Sequence, residues 1–294
     1  MSIGSEHAEE GKRIMSSARA EEAVTYVTPD ERLAEELRAA ARRHADFLSR
    51  IENDPDAFVA RSSWGTKLKR PTDIIVASVL LVLLAPLLLI CMILVKIDSP
   101  GASIFCQTRV GSDRRRQRHH RDGPCKSPTG TERRRFDLGG RPFTLRKLRS
   151  MRADAEKHGA VWALERGDPR VTRMGTLLRK THLDEMPQLW SVVLGEMSLV
   201  GPRPERPEFI ARIAAAIPAY RCRCKVRPGI TGLAQIKVGY DQNAEDVVNK
   251  LRHDLIYVET MGFRNDLKIA WMTIAQLFTG PEDRDGDKRA DDRR

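Results

Sequence analysis

The sequence predicts a mainly helical α/β domain that is held at a membrane by one apolar helical segment. Three observations carry this expectation. Ile74 to Val95 is a run of 22 residues without a charge. The positive charge of the chain is gathered in one band directly after that run. Residues 168 to 209 then alternate helix start and stop signals with rigid proline- and glycine-rich stretches.

The 294 residues allow one sizeable core or two small ones, since domains usually run to about 100–200 residues. At 41% hydrophobic residues there is material for a core, and no heptad, Gly-X-Y or longer repeat is present, so a disordered or fibrous chain is excluded. The five cysteines are an odd number and no N-x-S/T sequon occurs, which points to a reducing, cytosolic environment with free thiols. Cys222-Arg-Cys224 lacks the second cysteine pair of a zinc site. The chain divides into a polar, partly helical extension (1–62), a membrane helix (67–98), a catalytic domain (99–280) and a disordered tail (281–294).

Thr28-Pro29-Asp30-Glu31 reads as a helix start, with Thr28 as N-cap and Pro29 at the first helical position. Leu33, Leu37 and Ala40 follow at helical spacing, which predicts a partly solvated accessory helix and a candidate homodimer contact. The apolar run comes next. As a straight helix its 22 residues would be roughly 33 Å long, enough to cross the hydrocarbon core. Lys67, Lys69 and Arg70 precede it and Lys96 follows, so the positive-inside rule wants both ends in the cytoplasm. Pro86, near the middle, removes the hydrogen bond to the carbonyl of Val82. A break at Ala85-Pro86 with return to the same face and a single kinked span are both compatible with these residues.

Between Arg109 and Arg152 there are 15 basic and 4 acidic residues, a surplus equal to the chain's whole net charge of +11. Residues 112–135 have almost no apolar side chain and read as a loop attracted to anionic lipid, at about 1 kcal/mol per Lys or Arg near the surface. Nucleic acid is a weaker partner, because no aromatics are interleaved with the cations. In Phe143 to Glu156 the cations alternate with apolar residues and sit on a strand or a helix start. Arg146, Lys147, Arg149 and Arg152 there suit a diphosphate, which needs several donors in fixed directions.

Asp184-Glu185-Met186-Pro187 resembles a helix start, with Asp184 as N-cap and Gly195 as terminator, and with Leu189, Trp190 and Val193 buried between them. Two adjacent carboxylates at such an end lie where phosphate groups also bind; one can attack phosphorus while the other holds a metal or takes a proton. By residue type alone, simple capping is the commoner meaning of an Asp-Glu pair at a helix start. Prolines 202, 204 and 207 stiffen the loop that projects Arg203 and Arg206. Arg227-Pro-Gly-Ile-Thr-Gly232 has turn residues that let backbone approach a ligand closely. Leu267, Trp271, Ile274 and Phe278 recur at helical spacing, suiting core or membrane interface. P-loop, dinucleotide-fold, zincin and α/β-hydrolase motifs are absent.

Taken together, KRPTDIIVASVLLVLLAPLLL, IFCQTRVG, FTLRKLRSM, DPRVTRMGTLLRKTHLDEMPQLW, GEMSLVGPRPERP and YRCRCKVRPGITGLAQI resemble, in order, the bacterial sugar transferases that act as monotopic phosphoglycosyl transferases. The resemblance implies transfer of a sugar phosphate from a nucleotide diphosphate sugar, such as a UDP-sugar, to polyprenol (undecaprenyl) phosphate. It places the family's dyad on Asp184, as nucleophile forming a phosphosugar-aspartyl intermediate, and Glu185, with Mg2+ held between these two. It implies phosphate-binding roles for Lys147, Arg149, Arg179, Gln188, Arg203 and Arg227, a re-entrant helix-break-helix hairpin at Ala85-Pro86 with interfacial amphipathic helices, and a place on the cytoplasmic face of the bacterial inner membrane. There the family performs the first membrane step of exopolysaccharide, capsule, O-antigen or glycoprotein glycan assembly. The chain departs from the family's usual residues at Ala85, Ser191, Glu196 and Leu233, and its loop 112–135 is longer. A non-catalytic membrane scaffold that binds anionic lipid or polysaccharide-assembly partners is the rival reading.

Overall fold

A computed structural model describes residues 31–53, 64–113, 138–152, 154–155, 168–238 and 243–279. The cap at Thr28-Pro29, all but the start of the basic loop 112–135 and the tail 281–294 lie outside the described residues. In chain order the elements are helices α1 (Glu31–Arg42), α2 (Ala45–Asn53) and α3 (Trp64–Asp98), strands β1 (Ile104–Val110) and β2 (Pro142–Leu148), helix α4 (Arg173–Lys180), a 3-10 turn over Leu183–Glu185, and helix α5 (Gln188–Leu194). Strand β3 (Ser198–Val200), helix α6 (Pro207–Ala216), a second 3-10 segment (Pro218–Lys225), strand β4 (Gly229–Thr231) and helices α7 (Leu233–Lys237), α8 (Ala244–Thr260) and α9 (Phe263–Thr279) complete the chain.

The α/β content is thus mainly helix, with two small two-stranded sheets. β1 and β2 run antiparallel with Phe105 opposite Lys147, Gln107 opposite Leu145 and Arg109 opposite Phe143, so these six side chains share one face. β3 and β4 are parallel. Gly201, just after β3, is crossed closely by the 227–232 segment. A Cβ on Gly229 would lie 2.1 Å from the Gly201 nitrogen, and one on Gly232 would lie 2.2 Å from the Gly201 oxygen. The glycines of the RPGITG segment therefore permit close contact with the 201–204 loop.

The largest core cluster joins Leu37 and Ala40 of α1 and Leu48 and Ile51 of α2 to Ile210 and Ile213 of α6 and Val248 and Leu251 of α8. The apolar stripe of α1 is therefore covered within its own chain. The other face of α1, with Arg32, Glu35, Glu36 and Arg38, is exposed, so the helix is partly solvated as its sequence implies. Glu52 accepts a hydrogen bond from the Ala219 amide, and Glu245 on α8 pairs with Arg43 and His44.

Helix α3 is 35 residues long and helical throughout, Pro71 and Pro86 included, so the expected division into two helices at Ala85-Pro86 is not seen. Its inner stripe recurs every three or four residues. Ala77, Leu80, Leu81 and Leu84 pack with Leu145, Leu189 and Met197, while Leu88, Cys91, Met92 and Val95 pack with Leu148, Leu178 and Leu183. The outer face leaves Val82 75% and Ile97 77% exposed, with Ile75, Val79, Leu83, Ile90 and Ile93 alongside. Each such side chain forgoes about 1.5–3 kcal/mol if left in water, so this face requires lipid.

Polar contacts fix α3 at both ends. Lys69 donates to the Val200 carbonyl at 3.0 Å and pairs with Asp266 at 2.6 Å. Arg70 donates to the carbonyls of Val192 and Val193 at 2.7 and 2.9 Å, and Asp73 accepts from the Ser198 hydroxyl and the Leu199 amide. At the other end, Asp98 accepts from the Met174 amide and the Ser103 hydroxyl donates to the Met92 carbonyl.

Candidate active site

Asp184 and Glu185 occupy the 3-10 turn, and the N-cap position of α5 belongs to Pro187. The expected placement of Asp184 as N-cap is therefore replaced by a tighter arrangement. His182 enters the turn in the left-handed region (φ 55°), Leu183 plugs into the cluster of Cys91 and Val95 on α3, and α5 starts only after the dyad. Gly195 ends α5 at φ 83°, as its sequence position implies. Within α5 Leu189, Ser191 and Val192 are buried, but Trp190 is half exposed and not part of the core.

A shallow cleft opens at the dyad, lined by Arg109, Leu145, Lys147, Glu185, Gln188, Arg203 and Pro204. Arg203 reaches across from the 201–204 loop and holds Glu185 in a two-pronged ion pair, one prong measuring 3.3 Å. Lys147 comes from β2, with its ammonium 5.5 Å from the centre of the Phe105 ring. Burial is the main reason that the Lys147 ammonium lies below its ordinary range, and Arg203 and Arg109 add to the effect. Asp184 is 7% exposed and does not line the cleft. Burial raises its carboxyl, Glu185 raises it further, and Lys147, Arg179 and Arg203 offset this only in part. Burial also pushes Glu185 upward, but Arg203, with Lys147 and His182, outweighs it and holds that carboxyl below its usual range.

The loop that presents Arg203 is held on both sides. Before it, the Tyr257 hydroxyl lies 2.9 Å from the Val200 carbonyl, the Gly201 amide donates to Thr231, and the Pro202 carbonyl accepts from Gly229. After it, Arg109 donates to the Pro204 carbonyl at 3.1 Å and the Val110 amide donates to the Glu205 carbonyl.

Of the cations and amides expected to bind phosphate, Lys147, Arg203 and Gln188 are brought together at the dyad. Arg179 bears electrostatically on Asp184 while its Nε donates to the Ser150 hydroxyl. Arg149 is placed elsewhere. It is 6% exposed and donates to the carbonyls of Val95, Ser99 and Pro100, where it closes the C-terminal end of α3. Arg227 donates to the Gly195 carbonyl at the end of α5 remote from the dyad, and Arg206 pairs with Glu208 over the Phe209 ring. Arg109 was noted only as one of fifteen cations in the basic band. The signal that marks it is strand parity, which puts it on the same face as Lys147.

Among the described residues no group of three or more His, Cys, Asp or Glu side chains could hold a metal. None of the four described cysteines forms a disulfide.

The site thus pairs a buried carboxylate, Asp184, with a partly exposed one, Glu185, flanks them with fixed cations, and seats them against a helix whose outer face is apolar. Residues 64–121 and 125–280 match the bacterial sugar transferase family, and the chain belongs to that family. It is 38% identical over 213 residues to a UDP-N-acetylgalactosamine-undecaprenyl-phosphate N-acetylgalactosaminephosphotransferase of Aeromonas hydrophila; the match takes in 72% of this chain and 44% of that protein. It is also 38% identical over 213 residues to a UDP-glucose:undecaprenyl-phosphate glucose-1-phosphate transferase of Caulobacter vibrioides, 72% of this chain and 70% of the relative. An exopolysaccharide production protein of Rhizobium leguminosarum bv. phaseoli is 35% identical over 217 residues, 72% of this chain and 96% of the relative. The chain thus spans less than half the length of the Aeromonas relative.

Proposed function

We propose that this chain transfers a sugar 1-phosphate from a UDP-sugar to undecaprenyl phosphate at the cytoplasmic face of a bacterial inner membrane. The observation that carries the reading is the seat of the dyad: Leu183, next to Asp184, packs against Cys91 and Val95 of the helix whose other face requires lipid. A soluble donor and a lipid acceptor can therefore reach one site from two sides.

In this reading an Asp184 oxygen attacks the sugar-bearing phosphorus. An aspartyl–phosphorus bond forms as the bridging bond to the nucleotide breaks, and UMP leaves with that electron pair. An oxygen of undecaprenyl phosphate then attacks the same phosphorus and releases the Asp184 carboxylate. Lys147 and Arg203 hold the diphosphate oxygens and offset the charge that develops on them. Gln188 and Arg179 orient and screen the same region.

Mg2+ suits the donor set, since it is bound through one or two carboxylates with substrate phosphates and water supplying the rest. Asp184 and Glu185 would hold it, and it would supply charge neutralisation for the leaving UMP.

That both ends of α3 lie on one face of the membrane belongs to the same proposal, with the helix continuous through Pro86. Both ends of α3 and the stripe between them are bonded to one domain, whereas a span would carry one end about 30 Å away across the hydrocarbon. The half-exposed Trp190 and Leu194 of α5 and Leu267, Trp271 and Ile274 of α9 extend the apolar surface, as interfacial helices would.

Purified protein is to be screened with a panel of UDP-sugars, undecaprenyl phosphate and Mg2+. UMP release with one donor, dependent on the lipid phosphate, is expected. No release with any donor, together with undiminished lipid binding, favours the scaffold reading.

A further inference from the structure

Behind the cleft lies a second charged cluster, buried and not part of the proposed chemistry. Arg223 of the second 3-10 segment is 4% exposed, and Lys250 and Asp254 of α8 are 7% and 1% exposed. Arg223 pairs with Asp254 at 2.6 Å, donates to the Tyr220 hydroxyl oxygen at 2.7 Å and lies over the Tyr220 ring. The same terminal nitrogen that pairs with Asp254 donates to the Arg203 carbonyl at 2.9 Å. Glu205, two residues on, pairs with Lys250 at 2.9 Å and lies 3.6 Å from both Arg109 and Arg223.

Burying the three charged groups of Arg223, Lys250 and Asp254 is costly unless each is paired, and such ion pairs add little net stability compared with well-packed apolar residues. What this cluster does have is direction. Lys250 and Asp254 stand one helical turn apart on the same face of α8, an element rooted in the main core. Each grips the 201–205 loop from that root, Asp254 through Arg223 to the Arg203 carbonyl and Lys250 directly to the Glu205 carboxylate. A planar guanidinium suits the middle position, because one terminal nitrogen meets the Asp254 carboxylate and the Arg203 carbonyl while the other is fixed on Tyr220.

We propose that Asp254 and Arg223, braced by Lys250 and Glu205, are positioning residues that fix the main chain of Arg203 and so aim its guanidinium at Glu185 and the donor diphosphate. This rests on the transfer reading for what Arg203 then does, but the mechanical claim is separate from it. Misplacement of a substrate-holding group by about 1 Å can cost up to 100-fold in rate.

The test combines a double-mutant cycle with hydrogen exchange on the full chain in nanodiscs. Asp254→Asn should lower kcat/KM for the donor ten- to 100-fold. Arg223→Lys keeps a cation for Asp254 but not the planar donor set that also holds Tyr220 and the Arg203 carbonyl, so it should do the same with a smaller loss of stability. Arg203→Ala alone should lower turnover about 10²–10³-fold, and adding Asp254→Asn to it should lower turnover no further. Exchange in the 198–206 peptide should quicken in Asp254→Asn and Arg223→Lys, while exchange in α4 stays as in the unmodified chain. Losses that multiply in the double variant overturn the proposal, as does unchanged exchange over 198–206. If the unmodified chain turns over no donor, the transfer reading fails, and the exchange result alone decides the positioning claim.

Discussion

Replacing Arg149 by Met separates two roles for a cation that the sequence places near the diphosphate. In the fold Arg149 instead donates to Pro100 at 2.7 Å, Ser99 at 2.5 Å and Val95 at 3.3 Å. Met keeps a long apolar stem and removes all three bonds. The Val95 carbonyl retains the Ser99 amide as a partner at 3.2 Å. The Ser99 and Pro100 carbonyls lose theirs, and Pro100 is exposed enough for water to take over part of the loss. One half-buried carbonyl left bare costs about 1–3 kcal/mol and one partly rehydrated costs less. Loss of a cation at a helix C-terminus adds about 0.3–1 kcal/mol. The sum is ~2–5 kcal/mol, or a fall of about 5–15 °C in Tm for a chain of this size. The assay is thermal unfolding in nanodiscs, with donor KM measured well below the transition and normalised to folded protein. The Tm should fall as stated while KM stays within about twofold. An unchanged Tm with a KM raised tenfold or more would refute the capping role and return Arg149 to the substrate.

Leu37→Ala should cost about 2–5 kcal/mol, because Leu37 is 1% exposed in the main core; urea unfolding checks this, and a change below about 0.5 kcal/mol would mean that α1 is only an appendage. Burial raises Glu205, but Lys250, Arg223 and Arg109 more than reverse this and lower its carboxyl from 4.5 to about 2. Its contribution is therefore complete above about pH 5 and is lost as pH falls through the folded value, at about 1.4 kcal/mol per pH unit. The stability gap between the unmodified chain and Glu205→Gln should accordingly narrow from pH 5 downward in urea midpoints, and a gap independent of pH from 7 to 3 would contradict the ion pairing. Single-tryptophan variants retaining Trp190 or Trp271, which are 51% and 71% exposed, should be quenched by lipids brominated near the headgroup. Quenching no stronger than that by a soluble bromide would place both helices in water.

The dyad was legible because its two members are adjacent and need no tertiary contact to be noticed, yet its capping geometry was not. The left-handed turn at His182 delays α5 until after Glu185, and nothing local to His182 announces it. Lys147 and Arg149 look equivalent in a strand, two residues apart. The strand ends at Leu148, and the Arg149 side chain is drawn to the carbonyls of Val95, Ser99 and Pro100 at the end of α3, which spacing in the sequence does not announce. Arg109 was hidden by its fourteen basic neighbours, and only the pairing with Phe143 singles it out. The stripe of Leu33, Leu37 and Ala40 was plain in the sequence, but its partners lie about 170–215 residues further on, on α6 and α8. Trp190 was assigned to the core on hydrophobicity alone, which does not distinguish a protein interior from lipid.

The most direct measurement is intact-mass analysis of the full chain after incubation with a UDP-sugar that supports turnover, without the lipid acceptor. An adduct of one sugar phosphate, mapped by peptide analysis to Asp184, discharged by undecaprenyl phosphate and absent from Asp184→Asn, is the expected result. Full UMP release by Asp184→Asn, or an adduct on any other residue, would contradict the assignment of Asp184 as nucleophile.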